Sequence, residues 1–314
     1  MSWRMRNSAA TMMFRVARMG GHATRFLTSR NTARIAAVFE RSLYFEADGA
    51  FCCVGTGSIG NGPINAVIEA AQTPSWLRGT HAGHYVEIDG SCAHWQGHRL
   101  EFSQARIWRP EPWPKIANAS GLQSALACVE TVAARDAPPE GLSRRTILPT
   151  SNDDAASPLD RLGGPRIKAL SDWIFVRLGV EDRPGNSPAP PVDLLGLGPG
   201  LTPSGDDVLC GVMIALDGLG RRDAASELAA AIQAEAPATT SPLSAAFLEA
   251  AAQGQGSEAL HRFIAAAIAA DLSALPETIA ALGRIGHSSG WDAMGGAVLT
   301  LKAAVTAGQA RQSP

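Results

Sequence analysis

Two stretches of this 314-residue chain combine glycines, hydroxyls and aspartates in the same order. The stretch 194–216 reads LLGLGPGLTPSGDDVLCGVMIAL and changes from a glycine-rich loop into an apolar run. The stretch 285–301 reads IGHSSGWDAMGGAVLTL and shares the pattern S-G-x-D-x-x-x-G. Residues of these types at a helix start can expose backbone amides to a small anion and place a carboxylate beside it. The repeat therefore predicts two similar helix N-termini that converge on one pocket.

Each of these helix starts is predicted to carry its own cap. Ser204 with Asp207, and Ser289 with Asp292, have the spacing of a capping box. Capping explains the acidic residues, but it does not explain three spaced glycines, which let a ligand approach the backbone. Capping without a ligand stays open beside anion binding. The residues that we expect to hold the anion are Gly196, Gly198, Gly200, Thr202, Ser204, Gly205, Ser288, Ser289 and Gly290, with Asn61, Thr239 and Thr240 beside them.

Three aspartates and one histidine are the candidates for catalysis. Asp206, Asp207 and Asp292 supply carboxylates, and His287 can donate to an oxyanion or move a proton near neutral pH. A histidine that only fills a loop is the alternative for His287. Asp206 and Asp207 are also candidate Mg²⁺ ligands, because two carboxylates would repel a phosphate unless a cation or a substrate amide lay between them. The loop lacks the Gly-Lys-Ser/Thr ending of a nucleotide P-loop, so ATP is not indicated.

Two further patterns point to cofactors less strongly. The run VGTGSIG, residues 54–60, has the glycine spacing of a dinucleotide loop, but Gly62 and Pro63 stand where a helix must begin. This disfavours NAD and leaves a loop that carries Asn61 towards a site. Histidines and one cysteine between residues 81 and 98 invite a zinc site, but their spacing matches no familiar ligand set. We expect surface or hairpin roles for them: His81, His84, Cys92, His94 and His98.

The motifs GLGPGLTPSGDD, GNGPIN and IGHSSGWDAMGG resemble those of a bacterial family long labelled a domain of unknown function. That family includes the H-type subunit of the oxamate carbamoyltransferase of anaerobic allantoin breakdown, and the resemblance runs from about Gly55 to about Leu301. It implies a part, with other protein subunits, in reversible carbamoyl transfer within purine nitrogen catabolism: oxalurate and phosphate give oxamate and carbamoyl phosphate. The expected small-molecule partner is one of these anions. The resemblance assigns no catalytic residue, so the roles above come from the chemistry alone.

Two other classes of function stay open. A non-catalytic binding or regulatory subunit would sense an amide-bearing acid and dock onto enzymes, whereas a stand-alone enzyme would act on a different small metabolite. The activity of the isolated chain separates these classes.

The elements that must position these residues change in character along the chain. Residues 1–41 are expected to form an N-terminal extension with a helix, and residues 42–115 a β-rich domain with hairpins at Asp48-Gly49 and Asp89-Gly90. Residues 116–185 combine helices with a Pro/Gly-rich connection, and residues 186–314 form a helical domain that carries the glycine-rich loop. The predicted fold class is α+β, a β-rich part followed by an all-helical part. Helices are predicted from residue 120 onward, then at 167–178, 223–236, 243–252, 257–270, 276–282 and 290–307, with 136–165 as a surface connection.

Composition and charge limit the partners. A formal net charge of −2 argues against nucleic acid and anionic membranes, and no apolar run approaches the length of a membrane span. The five cysteines form no C-x-x-C pair, which is typical of a reducing cytoplasm. The first 39 residues contain seven arginines and no acidic residue, which is typical of a transit peptide. We favour the alternative interpretation, in which translation starts at a later methionine. We expect a cytoplasmic protein.

Overall fold

The computed structural model describes residues 12–69, 79–148, 157–179 and 189–310. The chain divides into a first unit that ends at Arg109 and a second unit that begins at Pro110. All strands among the described residues lie in the first unit, and helices make up the second. The predicted α+β class is confirmed.

The first unit is a barrel-like sheet with one short helix packed against it. Its strands follow the order β5-β4-β3-β2-β6-β7-β8-β1-β9, and a further β5–β1 pairing closes the ring. The strands are β1 (Met12–Met19), β2 (Thr32–Val38), β3 (Ser42–Ala47), β4 (Ala50–Gly55), β5 (Asn65–Ile68), β6 (Tyr85–Ile88), β7 (Cys92–Trp95), β8 (His98–Glu101) and β9 (Arg106–Ile107). Helix α1 (Gly21–Ser29) follows β1, and its buried residues Ala23, Phe26 and Leu27 join the apolar core of the sheet.

Both predicted hairpins are confirmed. Asp48 and Gly49 take positive φ angles, 52° and 76°, in the turn between β3 and β4, as a tight hairpin requires. Gly90, with φ of 73°, lies in the turn between β6 and β7. A third hairpin, which the sequence analysis did not identify, turns at Gln96 and Gly97 between β7 and β8.

The beginning of the chain differs from its prediction. Residues 12–41 do not form an extension, because they supply β1, α1 and β2 to the barrel. Strand β1 runs parallel to β8 and antiparallel to β5, so it closes the ring. Its partners lie far along the chain, and the exposed Arg15 and Arg18 directly precede the buried Val16 and Met19, respectively. Those arginines hide the apolar pattern expected of a strand that is paired on both sides. The transit-peptide interpretation concerns residues 1–39, which lie partly outside the described ranges.

The second unit is a helical domain, and most of its helices begin and end within a few residues of their predicted bounds. No helix in the described ranges is long and apolar enough to cross a membrane. The helices are α2 (Ala119–Asp136), α3 (Ser143–Ile147), α4 (Pro158–Arg177), α5 (Ser204–Gly218), α6 (Arg222–Thr239), α7 (Pro242–Ala252), α8 (Glu258–Ala269), α9 (Leu275–Leu282) and α10 (Ser289–Ala310).

The predicted surface connection at 136–165 is wrong in part. It contains α3 and the first two turns of α4, which continues through Pro165. The glycines that suggested a loop are needed for packing instead. A Cβ atom on Gly163 would lie 2.6 Å from the Leu142 side chain, so α4 approaches the segment before α3 closely.

Helices α5 and α10 cross closely, because a glycine of each meets the backbone of the other. A Cβ atom on Gly211 would lie 1.9 Å from the carbonyl oxygen of Ala293, and one on Gly296 would lie 2.0 Å from the carbonyl oxygen of Val208. Exchanging the two helices converts one contact into the other, since Val208 and Gly211 have the same spacing as Ala293 and Gly296. The helices are therefore related by a local two-fold axis.

Candidate ligand site at the crossing of α5 and α10

The two-fold relation extends into the loops before the two helices. The Gly205 amide donates to the Leu197 carbonyl over 2.9 Å, and the Gly290 amide donates to the Ile285 carbonyl over 3.1 Å. A side chain on either glycine is excluded, because its Cβ atom would lie 1.9 or 2.0 Å from a backbone carbonyl oxygen. The repeated sequence pattern is thus a repeated local structure.

The carboxyl group of each helix bonds to the serine at the start of the other helix. The Ser289 hydroxyl hydrogen-bonds to Asp207, and the Ser204 hydroxyl hydrogen-bonds to Asp292. The charge of Asp292 also raises the pKa of Asp207, so the two carboxyl groups lie close enough to interact electrostatically. The structure brings together the two aspartates that the repeat singled out.

Asp207 lies in an environment that disfavours its charged form. Burial is the main cause that raises its pKa well above 3.8, and the negative charges of Asp292 and Asp206 raise it further. Hydrogen bonds from Ser289 and Thr202 act in the opposite direction. The residue is half-buried, but its Oδ2 atom is buried and has no hydrogen-bond partner among the described residues.

Asp292 is fully buried, and its position comes from a different part of the chain. Burial raises its pKa to about 6, although hydrogen bonds from the Leu142 and Ser143 amides and the Ser204 and Ser288 hydroxyls oppose the shift. The Leu142 amide donates to Oδ1 over 2.7 Å. Oδ2 is buried without a partner in the described part of the chain. A carboxyl group with a pKa near 6 is suited to proton transfer close to neutral pH.

Sequence reasoning missed the segment that holds Asp292. Gly141 has a φ of 85°, and a Cβ atom on it would lie 2.6 Å from both carboxyl oxygens of Asp292. A glycine is therefore required for the Leu142 amide to reach the carboxyl group. The only signal in the sequence was this glycine, and one glycine in a Pro/Gly-rich stretch does not reveal a partner so far along the chain.

Asp206, predicted as a catalytic residue and Mg²⁺ ligand, anchors the glycine-rich loop. It accepts hydrogen bonds from the Gly196 amide at 2.7 Å, from the Ser244 hydroxyl at 2.6 Å, and from the Thr240 hydroxyl. These bonds engage both oxygens and tie the loop to the start of α7. The geometry therefore assigns Asp206 a structural role.

The predicted capping box at α5 is wrong. The helix begins at Ser204 after Pro203, and no side chain caps it, since the Ser204 hydroxyl bonds to Asp292 instead. The amides of Gly205, Asp206 and Asp207 donate to backbone carbonyls of the preceding loop. Those amides cannot also bind an anion, which leaves hydroxyls and the outer part of the loop to face a ligand.

That outer part is exposed beside two half-buried hydroxyls. Pro199, Gly200 and Leu201 are exposed, and the Thr202 and Ser289 hydroxyls lie 2.9 Å from each other. Since both hydroxyls also bond to Asp207, they lie between the exposed loop and the carboxyl pair. Gly198 before them has φ of 123°, and a Cβ atom on it would lie 2.8 Å from the Ser204 amide nitrogen.

His287 lies on the outside of the second loop. Its side chain is 80% exposed, and Nε2 is 3.5 Å from Oε2 of Glu140. The exposed ion pair places the ring at the edge of the site. In the described residues His287 makes no ion pair with Asp207 or Asp292, although its neighbour Ser288 hydrogen-bonds to Asp292.

The predicted threonines support the loop from behind. The Thr240 hydroxyl reaches Asp206, and a Cβ atom on Gly196 would lie 2.3 Å from the Thr239 carbonyl oxygen. Ser241 caps α7 by accepting the Ser244 amide at 3.0 Å, as predicted, and its hydroxyl donates to the Leu201 carbonyl. The segment positions the glycine-rich loop, and the Thr239 side chain is exposed.

Asn61 belongs to the first unit, where it is buried and accepts a 2.9 Å hydrogen bond from Arg18 Nε. Gly57–Ile59 form a 3-10 turn, and β5 follows it without an α-helix. The strand-helix-strand unit of a dinucleotide site does not follow β4. The structure gives Asn61 a place in the barrel.

The histidines of the first unit do not gather in one place. His81 packs edge-on against His84, whereas His98 packs against Trp95. Among the described residues, one set of three possible metal ligands lies together, with ligand atoms within 4.8 Å of one another: Asp89, Cys92 and His94. His94 Nε2 is 3.1 Å from Asp89 Oδ2, and Arg99 Nε donates to Cys92 Sγ over 3.2 Å. A guanidinium cation already occupies the sulfur side of this set.

The segment that contains the site is similar to a known protein family. Residues 194–301 match the family model described as oxamate carbamoyltransferase subunit AllH. This segment runs from the glycine-rich loop through most of α10, so it includes both members of the carboxyl pair. No curated protein and no solved structure matches the chain.

Proposed function

We propose that the chain belongs, through its residues 194–301, to the family of oxamate carbamoyltransferase subunit AllH. On this premise, it is a subunit of an enzyme that transfers a carbamoyl group between a small amide-bearing acid and phosphate. The observation that carries the proposal is the pair of Asp207 and Asp292. Each has one carboxyl oxygen without a partner in the described residues, and the pair lies inside the family-matched segment.

The proposed reaction needs a proton carrier. A phosphate oxygen attacks the ureido carbonyl carbon of oxalurate, and the bond from that carbon to the inner nitrogen breaks. The carbonyl carbon leaves as carbamoyl phosphate, and the nitrogen becomes the amide of oxamate. The hydrogen phosphate gives up one proton and the departing nitrogen gains one, so charges and atoms balance.

The carboxyl pair supplies that carrier in our proposal. Asp292, whose pKa is raised to about 6, accepts the proton from phosphate or donates one to nitrogen near neutral pH. Asp207 lies between it and the half-buried hydroxyls of Thr202 and Ser289, which orient the carbamoyl group. The phosphate binds outside the pair, at the exposed backbone around Gly200, because two adjacent carboxyl groups repel an anion.

The donor set around the pair does not fit Mg²⁺ well. Asp206 has both oxygens engaged by the Gly196 amide and two hydroxyls, so it offers no ligand atom. Mg²⁺ requires near-octahedral oxygen ligands and usually keeps several waters. The unpartnered oxygens of Asp207 and Asp292 are buried, which favours a proton over a hydrated cation. We propose no step through a metal.

Calorimetric titration of the full chain with carbamoyl phosphate, phosphate and oxamate, with and without Mg²⁺, tests the proposal. We expect binding by the wild type and at least tenfold weaker binding by the Asp207→Asn, Asp292→Asn double variant. Asp193→Asn is the matched control, since Asp193 is an exposed carboxylate just before the same loop. Binding that is unchanged in the folded double variant would move the site elsewhere. Binding without turnover in the complete multisubunit enzyme would favour a regulatory subunit.

A further inference from the structure

We propose that Asp89, Cys92 and His94 bind a Zn²⁺ ion, with water as the fourth ligand. This hairpin triad lies in the turn between β6 and β7 and on β7 itself. It belongs to the first unit, outside the segment 194–301 that matches the family model. The inference is therefore independent of the proposed function.

Strand β7 presents two of the ligands on one face of the sheet. Ala93 and Trp95 belong to the barrel core, so Cys92 and His94, which alternate with them, face the opposite side. Cys92 is nevertheless buried, with 1% of its surface exposed, whereas His94 is half-buried. The strand is paired with β6 on one side and with β8 on the other, which fixes the positions of both side chains.

The turn brings the third ligand to the same place. The Cys92 amide donates to Asp89 Oδ1 over 3.0 Å, and the Asp89 amide donates to the Cys92 carbonyl over 2.9 Å. These two bonds hold the carboxyl group with its other oxygen, Oδ2, 3.1 Å from His94 Nε2. A carboxyl group whose second oxygen accepts a backbone amide is already oriented before a metal arrives.

The distances fit a zinc centre after a small adjustment. Zinc binds imidazole nitrogen and carboxylate oxygen at about 2.0–2.2 Å and thiolate sulfur at about 2.3 Å, with the ligands at the corners of a tetrahedron. Neighbouring ligand atoms are then about 3.3–3.7 Å apart. In the hairpin triad all three ligand atoms lie within 4.8 Å of one another. The sulfur atom therefore has to approach the other two by about 1 Å or less, which a small side-chain rotation allows.

The mixture of donors determines which metal fits. Sulfur and nitrogen beside one carboxylate favour Zn²⁺ over Mg²⁺ and Ca²⁺, which take oxygen ligands. On binding, the Cys92 thiol releases one proton, and His94 carries its ring proton on Nδ1 so that Nε2 bonds to the metal. The thiolate and the Asp89 carboxylate then balance the two positive charges of the ion.

Arg99 is the group that competes with the metal. Its Nε donates to Cys92 Sγ over 3.2 Å, so the guanidinium contacts the same sulfur atom that would bind the ion. The Arg99 side chain is exposed, and Glu101 follows it on the same face of β8. The guanidinium can turn towards that carboxylate when a metal binds. Arg99 therefore lowers the affinity for zinc without closing the site.

Cobalt and zinc titrations of the full chain, prepared without an affinity tag and with a reductant that is not a thiol, test the proposal. Co²⁺ is the spectroscopic probe, because a thiolate ligand gives a charge-transfer band in the near ultraviolet and tetrahedral coordination gives intense visible bands. We expect the wild type to show both at one Co²⁺ per chain. One equivalent of Zn²⁺ is expected to abolish them.

Variants identify the ligands. Cys92→Ser and His94→Ala are each expected to weaken Zn²⁺ binding at least tenfold, since loss of a group that only supports a ligand already costs about that much. The matched controls Cys128→Ser and His81→Ala are expected to keep the wild-type affinity. Arg99→Gln should raise the affinity severalfold, because it removes the competing cation.

The two Asp-Gly turns provide a further matched pair. Asp89→Asn keeps an oxygen that accepts the Cys92 amide but removes the carboxylate, so it should weaken Zn²⁺ binding severalfold. Asp48→Asn makes the same change in the turn between β3 and β4 and should leave the affinity unchanged.

The wild-type spectrum decides first. Absence of the thiolate band overturns the proposal even if a variant does not fold. Zn²⁺ binding that persists undiminished in folded Cys92→Ser or His94→Ala, or that is lost equally in their controls, also overturns it, because the ion would then bind elsewhere. Each outcome leaves the carbamoyltransferase proposal in place.

Discussion

The loops before α5 and α10 share one plan and differ in their surroundings. Both bring a glycine amide back to a loop carbonyl, at Gly205 and Gly290, and both end in a serine that bonds to the carboxyl group of the opposite helix. The first loop is longer, since five residues separate Gly198 from Ser204 but only two separate Gly286 from Ser289. The additional residues form the exposed part of the site.

The position after the shared glycine shows the difference most clearly. The first helix has Asp206 there, which holds three hydrogen bonds and ties its loop to α7. The second helix has Trp291, which is 6% exposed and packs beside Gly283, where a Cβ atom would lie 3.0 Å from the indole nitrogen. The shared positions build the carboxyl pair, and the positions that differ attach each helix to its own neighbours. Adjacent aspartates in one motif thus have unrelated roles.

The largest expected effect comes from breaking the contact that both helices share. Gly211→Ala and Gly296→Ala each place a methyl group about 2 Å from a backbone oxygen, so the helices must separate. We expect each variant to lose about 3 kcal/mol or more of unfolding free energy, measured by chemical denaturation. Gly308→Ala on α10 is the control, because its methyl group would lie 3.3 Å from the Ala119 side chain. Equal stability of the three variants would contradict the close crossing.

Removing the anchor that only the first loop has should cost somewhat less. Asp206→Ala leaves the Gly196 amide and the Ser244 hydroxyl without their acceptor in a buried setting. We expect a loss of about 2–4 kcal/mol in unfolding free energy, since unsatisfied buried donors are costly. Asp193→Ala, at an exposed carboxylate, should change little. A variant as stable as the wild type would show that the loop does not depend on this anchor.

Asp292, the member of the pair on α10, should make the free energy of unfolding depend on pH. Because the pKa of Asp292 is raised from 3.8 to about 6, the folded state binds the proton more tightly than the unfolded state. Its contribution to stability is therefore present below pH 3.8 and is lost as the pH rises through about 6. Relative to the wild type, Asp292→Asn should gain on the order of 3 kcal/mol between pH 4 and pH 7, at 1.36 kcal/mol per pKa unit. Parallel stability curves for the two proteins would rule out the raised pKa.

The smallest effect is expected at the exposed edge of the second loop. His287→Ala removes an ion pair with Glu140 in which both side chains are mostly exposed, and such pairs contribute little. We expect an unchanged melting temperature and less than a twofold change in oxamate affinity. Thr202, whose hydroxyl bonds to Asp207, provides the contrast, since Thr202→Val should weaken oxamate binding severalfold. A large effect of His287→Ala would give this histidine a direct part in the site.

Local patterns predicted local structure well in both units. The Asp48-Gly49 turn and the alanine-rich helices follow from backbone preferences and apolar spacing within a short window. Strand β1 could not be recognised in this way, because its partners β5 and β8 are distant along the chain. The same limit hid the start of α3, where the Leu142 amide donates to Asp292 on α10.

The sequence alone shows that two helix starts are alike, that each carries a glycine about two turns later, and that Asp207 and Asp292 occupy equivalent positions. These are properties of residue type and spacing. Which groups bond to each aspartate depends on the tertiary structure. Ser204 matches a cap for its own helix by spacing, yet it bonds to Asp292, because the glycine crossing brings that carboxyl group within reach and the loop carbonyls already satisfy the first-turn amides of α5. Hydrogen-bond partners depend on distance in space, and spacing along the chain constrains that distance only within a single element.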